Sequence, residues 1–410
     1  MPIKISPLAP KTFKKTQKID GVKVSSLHCG LKSKSKHDLV LIKFDLPSTI
    51  FGVFTKSNMP GESIKWNKSI IKKKKVSAIL INAGNANVFN GEKGKISQQK
   101  IIQKISKDLG LKKNQIYIAS TGVIGEPLKH EKIIKKIPRL IKSLNNKASS
   151  WFEAAEAIRT TDTFPKIYSK RLKSNRSLII NGIAKGSGMI APNMATMLSF
   201  ITTNVNLSDK YSAFKKIFNQ LVDQTFNSIS VDGDTSTSDM VLLVSVNNKQ
   251  KKNLREDSYL EFKKSLKDLM QKLAHLIVKD GEGASKFISI SVNGTKSDND
   301  AKKVGFSVAN SPLFKTAMAG SDLNWGRIIM SIGKSGFKFK EKEISIKFGN
   351  YFVVKDGKES IESSSTLLRK YLKKSHIEIF ITLGIHKGKS TVWTCDLTKE
   401  YISINTNYRS

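Results

Sequence analysis

A threonine stands where a glycine-rich loop meets an apolar run, in the segment KGSGMIAPNMATML from Lys185 to Leu198. Gly186, Gly188, Pro192 and Asn193 supply the loop, Ala195 is small, and Thr196 opens a run that reads as a strand from Met197 to Thr203. One reading is an ordinary loop entering a strand. The other is chemical: the Thr196 hydroxyl attacks the carbonyl of Ala195, an ester replaces the peptide bond, and water then cuts the chain there. Threonine suits this role because scission leaves its hydroxyl beside its own freed α-amine, a nucleophile and a general base in one residue. An α-amine has an unperturbed pKa of about 7.7 to 8.0, so a useful fraction is neutral close to pH 7.5 and no histidine is required.

Other chemistries find no residues. His28, His37, His130, His275, His376 and His386 include no pair at metal-ligand spacing, and HExxH and CxxC are absent, so no metal is expected. The acidic string VDGDTSTSD, Val231 to Asp239, fails as a calcium loop, with Thr237 in place of the required Gly and Leu243 in place of the closing Glu. Neither GxxxxGK[ST] nor GxSxG occurs.

The elements that must position such a loop alternate between strand and helix. Val76 to Ile81 reads as a buried strand ending in the turn NAGNAN, Asn82 to Asn87, followed by a helix over Lys95 to Leu109 with Gly110 as its cap. A strand from Gln115 to Ala119 opens into STGVIGEP, then a helix from His130 that Pro138 is expected to interrupt. In the second half, Ser208 is the expected N-cap of a helix bearing Phe214, Ile217, Phe218, Leu221 and Val222. Met240 to Val246 and Phe287 to Val292 read as strands, and Leu260 to Val278 as the longest amphipathic helix, ending at Gly281. The class expected is α/β or α+β, with no linker marking a domain boundary.

With 410 residues, 39% hydrophobic and 25% charged, the composition is globular. No apolar run approaches the roughly 18 to 20 residues a bilayer needs, and the longest, Ile377 to Ile385, is a strand's worth. Two cysteines, Cys29 and Cys395, and a first twenty residues without a leader-like apolar core predict a cytoplasmic protein. The net charge of +38 raises nucleic acid as a partner. Yet only eight of the 71 basic residues are arginine, lysines are spread along the chain, and Lys72 to Lys75 has no interleaved aromatics. A solvated lysine surface is the simpler account, and neither nucleic acid nor membrane is expected as partner.

The loop string, followed by FITTN, resembles the signature of the glutamate N-acetyltransferase, or ornithine acetyltransferase, family of arginine biosynthesis. NAGNAN, STGVIGEPL, TTDTFPK (Thr160 to Lys166), VDGDTSTSD, KDGEGASKF (Lys279 to Phe287), DLNWGRI (Asp322 to Ile328) and the terminal YISINTNYRS fall in family order over essentially the entire chain. Two departures appear: the chain ends in Ser where relatives often have Thr, and Asn204 stands where Asp is usual.

The resemblance implies self-cleavage between Ala195 and Thr196, giving an α chain of residues 1–195 and a β chain of 196–410 that begins with the nucleophile and assembles as α2β2. It implies Thr121 and Gly122 as the oxyanion hole, and Thr160 (or the adjacent Thr161), Lys185, Thr196, Glu282, Asn405 and Ser410 as substrate contacts, with the C-terminal tail folded over the site. It implies an αββα-type two-sheet core of the DmpA and ornithine-acetyltransferase kind with a smaller second domain. The activity implied is ping-pong transfer of acetyl from N2-acetylornithine to glutamate without a cofactor, with acetyl-CoA as a second donor in a bifunctional enzyme. A monofunctional ornithine acetyltransferase is the alternative. An aminopeptidase or amidohydrolase of the related fold is the next, against which Thr196 argues because those nucleophiles are typically serine.

Overall fold

The protein is described here by a computed structural model that covers residues 4–32, 36–191, 197–248, 254 and 256–406. It is a mixed α/β structure with two sheets, as expected. The larger sheet holds β1 (Val22–Leu27), β2 (Leu39–Phe54), β3 (Lys75–Asn85), β4 (Ile116–Val123), β5 (Lys166–Arg171), β6 (Ile179–Lys185), β7 (Leu198–Thr203) and β8 (Met240–Ser245). Its order is β4-β3-β2-β8-β7-β6-β5, with β1 paired to β2. Helices α1 (Glu62–Ile70), α2 (Gly91–Leu109), α3 (His130–Lys142), α4 (Ala148–Ala157), α5 (Tyr211–Gln224) and α6 (Glu256–Lys279) cover it.

Near-continuous apolar runs in the central strands follow from burial on both faces. Along β8, Val241 and Leu243 join the cluster under α5 and α6, whereas Met240, Leu242 and Val244 join the cluster with Trp151 and Ala155 of α4. The pairs β3/β4 and β7/β8 are parallel, and α2 and α5 make the crossovers that such pairs require.

The smaller sheet runs β12-β11-β10-β13-β9-β14, formed by β9 (Phe287–Gly294), β10 (Ser345–Phe348), β11 (Tyr351–Lys355), β12 (Lys358–Glu359), β13 (His376–Thr382) and β14 (His386–Cys395). In β13, Ile377, Ile379 and Ile381 are buried while the residues between them are not, so this strand is covered on one face. That face packs with α7 (Asp298–Ala309), α8 (Pro312–Ala319), α9 (Trp325–Gly333) and α10 (Thr366–Leu372). The chain then turns back as α11 (Lys399–Thr406).

Helix α6 joins the two sheets. Its His275 ring lies 4.9 Å from both Phe287 of β9 and Trp393 of β14. Its Leu269 and Leu273 lie over Gly182 in the middle of β6. Among the described residues no helix is long and apolar enough to cross a membrane.

Two expectations are corrected. Pro138 does not interrupt α3, which runs on to Lys142, because Ile133, Ile137 and Leu140 hold one buried face across the proline. Ser208 does not cap α5: its hydroxyl bonds Asn206 and Asp209, and the helix starts at Tyr211 after Lys210.

A Cβ on residue 182 would stand 2.8 Å from Leu273 Cδ1 and 2.9 Å from Leu269 Cδ2. Gly182→Val is therefore expected to lower stability by about 1 to 3 kcal/mol through overpacking. A urea denaturation series reads this as a lower midpoint at an unchanged slope, and an unmoved midpoint refutes the close approach of α6 to β6.

Candidate active site

Lys185 ends β6 opposite Leu198, which begins β7, so the connection 186–197 springs from the edge of an antiparallel pair. Ala195 and Thr196 lie outside the described residues, as does Ser410. The residues flanking that gap, Ala191 and Met197, are buried.

Thr121 and Gly122 end β4 beside Ala83 and Gly84 of β3, where the register slips at Asn85. The slip has a steric cause. Gly122 has φ +129°, and a Cβ there would overlap the Gly84 carbonyl carbon, so two glycine backbones approach more closely than any side chain permits. The asparagines expected to form a turn instead end β3 and fasten this place. Asn82 Nδ2 donates to the Asn85 carbonyl at 2.8 Å, Ser120 Oγ donates to Asn82 Oδ1 at 2.7 Å, and Asn85 Nδ2 donates to the Glu126 carbonyl at 3.0 Å. Behind Gly84 lies the Leu31 carbonyl, in a loop whose four backbone N–H groups, from Cys29 to Lys32, donate to the buried Asp38 carboxylate. Those donors outweigh burial and hold the Asp38 carboxyl below its ordinary value.

Three further strings are tied together by one buried ion network. Lys166 Nζ lies 2.6 Å from Asp162 Oδ1 and 2.5 Å from Asp280 Oδ2, and all three side chains are buried. Asp162 also accepts the N–H of Gly186 at 2.7 Å and that of Thr160 at 3.0 Å. Asp280 accepts the N–H and the hydroxyl of Thr163, and its carbonyl accepts Ser187 Oγ. Glu282 N–H donates to the Ser187 carbonyl at 3.0 Å. TTDTFPK, KGSG and KDGEG thus form one assembly.

Their exposed edges line one cleft of roughly 620 Å³, including space open to solvent. Thr121, Gly122, Thr160, Lys185, Glu282 and Asn405, each named from the sequence, all face it, together with Thr161. Lys185 Nζ donates to Thr121 Oγ1 at 3.1 Å. Glu282 receives Asn405 Nδ2 at 2.7 Å and the Thr161 hydroxyl. A Cβ on residue 188 would lie 2.5 Å from the Glu282 carboxylate carbon, so any larger residue there would displace that side chain. As far as α11 the chain folds back: Thr398 Oγ1 donates to the Gly283 carbonyl at 2.7 Å, and Asn405 of α11 lines the cleft.

The charges answer to burial first. Burial pushes the Glu282 carboxyl up, and the bonds from Thr161 and Asn405 offset this only in part. Burial pulls the Lys185 ammonium down, with Asp162 opposing and Lys166 adding to the effect. For Asp162 burial loses: Lys166 and Lys185 hold its carboxyl well below the usual range, while the Lys166 ammonium is held up by its two aspartates.

The sequence reading missed Asp38, Asp162, Lys166 and Asp280 as supports, and Ser236, Thr237 and Ser238 as lining. The last three belong to VDGDTSTSD, a string that fails as a calcium loop and falls in family order. Their polar run in a string of family order was the available signal. Among the described residues no group of three His, Cys, Asp or Glu side chains could hold a metal.

Comparison with known proteins puts this geometry in context. The family model described as the ArgJ family matches residues 23–410. The chain is 40% identical over 417 residues to the arginine biosynthesis bifunctional protein ArgJ of Bartonella quintana (strain Toulouse), and 42% identical over 417 residues to that of Brucella suis biovar 1, covering 100% of both chains in each case. Of solved structures, an arginine biosynthesis bifunctional protein ArgJ from Bacillus halodurans is 36% identical with a TM-score of 0.48, over 52% of this chain and 100% of that one. The ornithine acetyltransferase of Mycobacterium tuberculosis, complexed with ornithine, is 24% identical with a TM-score of 0.39, over 43% of this chain and 93% of that one. Matched by the family model from residue 23 to its last residue and by relatives along its full length, the chain belongs to the ArgJ family.

Proposed function

We propose that this chain is an acetyltransferase of arginine biosynthesis that cuts itself between Ala195 and Thr196 and then moves acetyl from N2-acetylornithine to glutamate through Thr196. The observation that carries the reading is the convergence of Thr121, Gly122, Thr160, Lys185, Glu282 and Asn405 on one cleft, at the edge from which the 186–197 connection departs.

Each half-reaction balances. The Thr196 hydroxyl attacks the acetyl carbonyl while its proton passes to the α-amine, and the oxyanion forms toward the Thr121 hydroxyl and the Gly122 N–H. Collapse breaks the amide C–N bond, the proton goes to the departing ornithine amine, and acetyl remains as an ester on Thr196. The glutamate amine then attacks that ester, giving N-acetylglutamate and free Thr196. Each oxyanion donor supplies about 2.7 to 4 kcal/mol of transition-state stabilisation. Both substrates carry an α-carboxylate, for which Lys185 is the buried cation, so one pocket serves donor and acceptor in turn. Glu282 binds the second amine or accepts a proton from the attacking one, and Ser410 completes the contacts from the tail. An acetyl-CoA thioester enters by the same steps with a thiol as leaving group, in keeping with the relatives' description as bifunctional. The two pieces, 1–195 and 196–410, stay together after scission and pair into α2β2.

A denaturing gel of the purified protein is expected to show fragments of 195 and 215 residues, and Thr196→Ala a single intact chain. Active wild type that is uncut rejects the mechanism. Incubation with N2-acetylornithine alone is expected to add one acetyl mass to the 196–410 piece, and water releasing it faster than glutamate does would instead make the protein a hydrolase.

Asn405 donates to the ionised form of Glu282, so its removal favours the protonated form. Asn405→Ala is therefore expected to move the acid limb of the kcat/KM profile to higher pH. An unmoved limb takes Glu282 out of the titration that governs the reaction.

A further inference from the structure

The Lys185 ammonium is an all-donor group, and the Thr121 hydroxyl has one proton and two lone pairs. Their 3.1 Å bond therefore runs one way: Lys185 N–H donates, and a lone pair on Thr121 Oγ1 accepts. Both side chains are buried, 3% and 5% exposed, so bulk water competes little for either. Among the described residues Thr121 Oγ1 donates to no protein acceptor, and both residues border the cleft. The hydroxyl proton is thus left for whatever occupies that space.

We propose that Lys185 is a positioning residue for the transition state, holding the Thr121 hydroxyl by its oxygen so that its proton is aimed at the oxyanion. This rests on the reading of Thr121 and Gly122 as the oxyanion pair and gives Lys185 a second role beside that of carboxylate ligand. The two roles are compatible, since one N–H goes to Thr121 and two remain for the cleft. No proton is transferred along this chain. As the Thr196 oxygen bonds to the acyl carbon, the carbonyl π pair moves onto oxygen and strengthens its bond from Thr121; the pair returns when the C–N bond breaks. A donor on the far side of the hydroxyl oxygen polarises the O–H bond and makes it a better donor, most of all where solvent is excluded. Burial lowers the affinity of Lys185 for its proton, consistent with an amine enclosed within the protein rather than solvated at the surface.

The test is a double-mutant cycle on the self-processed enzyme, with kcat for acetyl transfer from N2-acetylornithine to glutamate expressed per acetylatable Thr196. Thr121→Val is expected to lower kcat by roughly 100- to 1000-fold, as loss of one oxyanion donor does. Lys185→Met is expected to lower kcat by roughly tenfold or more when Thr121 is present but less than about twofold in the Thr121→Val background, because coupled residues are not additive. Any rise in KM from lost carboxylate binding should be alike in both backgrounds. Equal kcat losses from Lys185→Met in the two backgrounds overturn the proposal. Should the methionine variant not process, Lys185→Arg, which retains N–H donors, is expected to process and to keep most of kcat, and a kcat loss of equal size in the Thr121 and Thr121→Val backgrounds refutes the coupling. If the unsubstituted enzyme carries no acetyl on the 196–410 piece, the underlying mechanism fails and not the role of Lys185 alone.

Discussion

The site depends on Lys166 being held between Asp162 and Asp280. Removing an ion from water into a protein interior costs several kcal/mol even after relaxation, and a buried pair recovers this only if its remaining donors and acceptors are bonded. Here they are. Asp162 takes two backbone N–H groups beyond the ammonium, and Asp280 takes the amide and hydroxyl of Thr163. Such a network adds little net stability compared with an apolar replacement, but losing one member strands the others as uncompensated buried charges. Its consequence is registry. The loop after α4, the loop after β6 and the turn after α6 cannot drift apart, and these three carry Thr160, Lys185 with Gly188, and Glu282.

The larger sheet meets the mechanical demand that self-scission would impose. Strands β7 and β8, from residues after 196, lie between β2 and β6, both from residues before 195. A cut in the 186–197 connection would leave their hydrogen-bonded ladders to β2 and β6 intact, and the clusters on both faces take residues from each side of the cut. Scission in this topology removes a loop constraint without exposing a core. Leu198, two residues along the chain from the proposed cut, pairs with Lys185.

What could be read in advance was local. Helix α2 with its Gly110 cap, the strand before NAGNAN, and α6 ending near Gly281 each carry a signature within one window of sequence. Strand β2 does not. Pro47 and the register slip between Lys43 and Ser48 break its alternation, although its first part pairs with β1 and β3 and its last with β8. Proline is tolerated where the ladder is already interrupted. Pro138 misleads in the opposite sense, since its local propensity to end α3 is overridden by burial on either side. At the site, Thr121, Gly122, Lys185, Glu282 and Asn405 were legible through the resemblance, which acts motif by motif. The pairing of Lys166 with Asp280 spans 114 residues and the Asp38 loop packs behind a turn some 50 residues away, so neither has a local signature.

Of the 63 lysines behind the +38 charge, several lie over aromatic rings away from the cleft. Lys14, Lys74, Lys210 and Lys347 lie over the rings of Tyr168, Tyr211, Tyr259 and Phe352, with ammonium groups 4.5 to 5.4 Å from the ring centroids. A base that must stack on one of these rings would meet the protein's own cation there. The described lining of the cleft contains no aromatic residue, only threonines, serines, glycines, the aliphatic Ala86, Ile124 and Met189, and the few charged or amide side chains discussed above. Lysines on the surface act through solvent and fade within a Debye length of about 8 Å at physiological salt. Lys185 and Lys166 act in the interior, where screening is weak and geometry is fixed. On the proposed reading, selection among anions rests with the buried Lys185, which donates to Thr121 and feels the charge of Asp162, and the surface excess contributes attraction without discrimination.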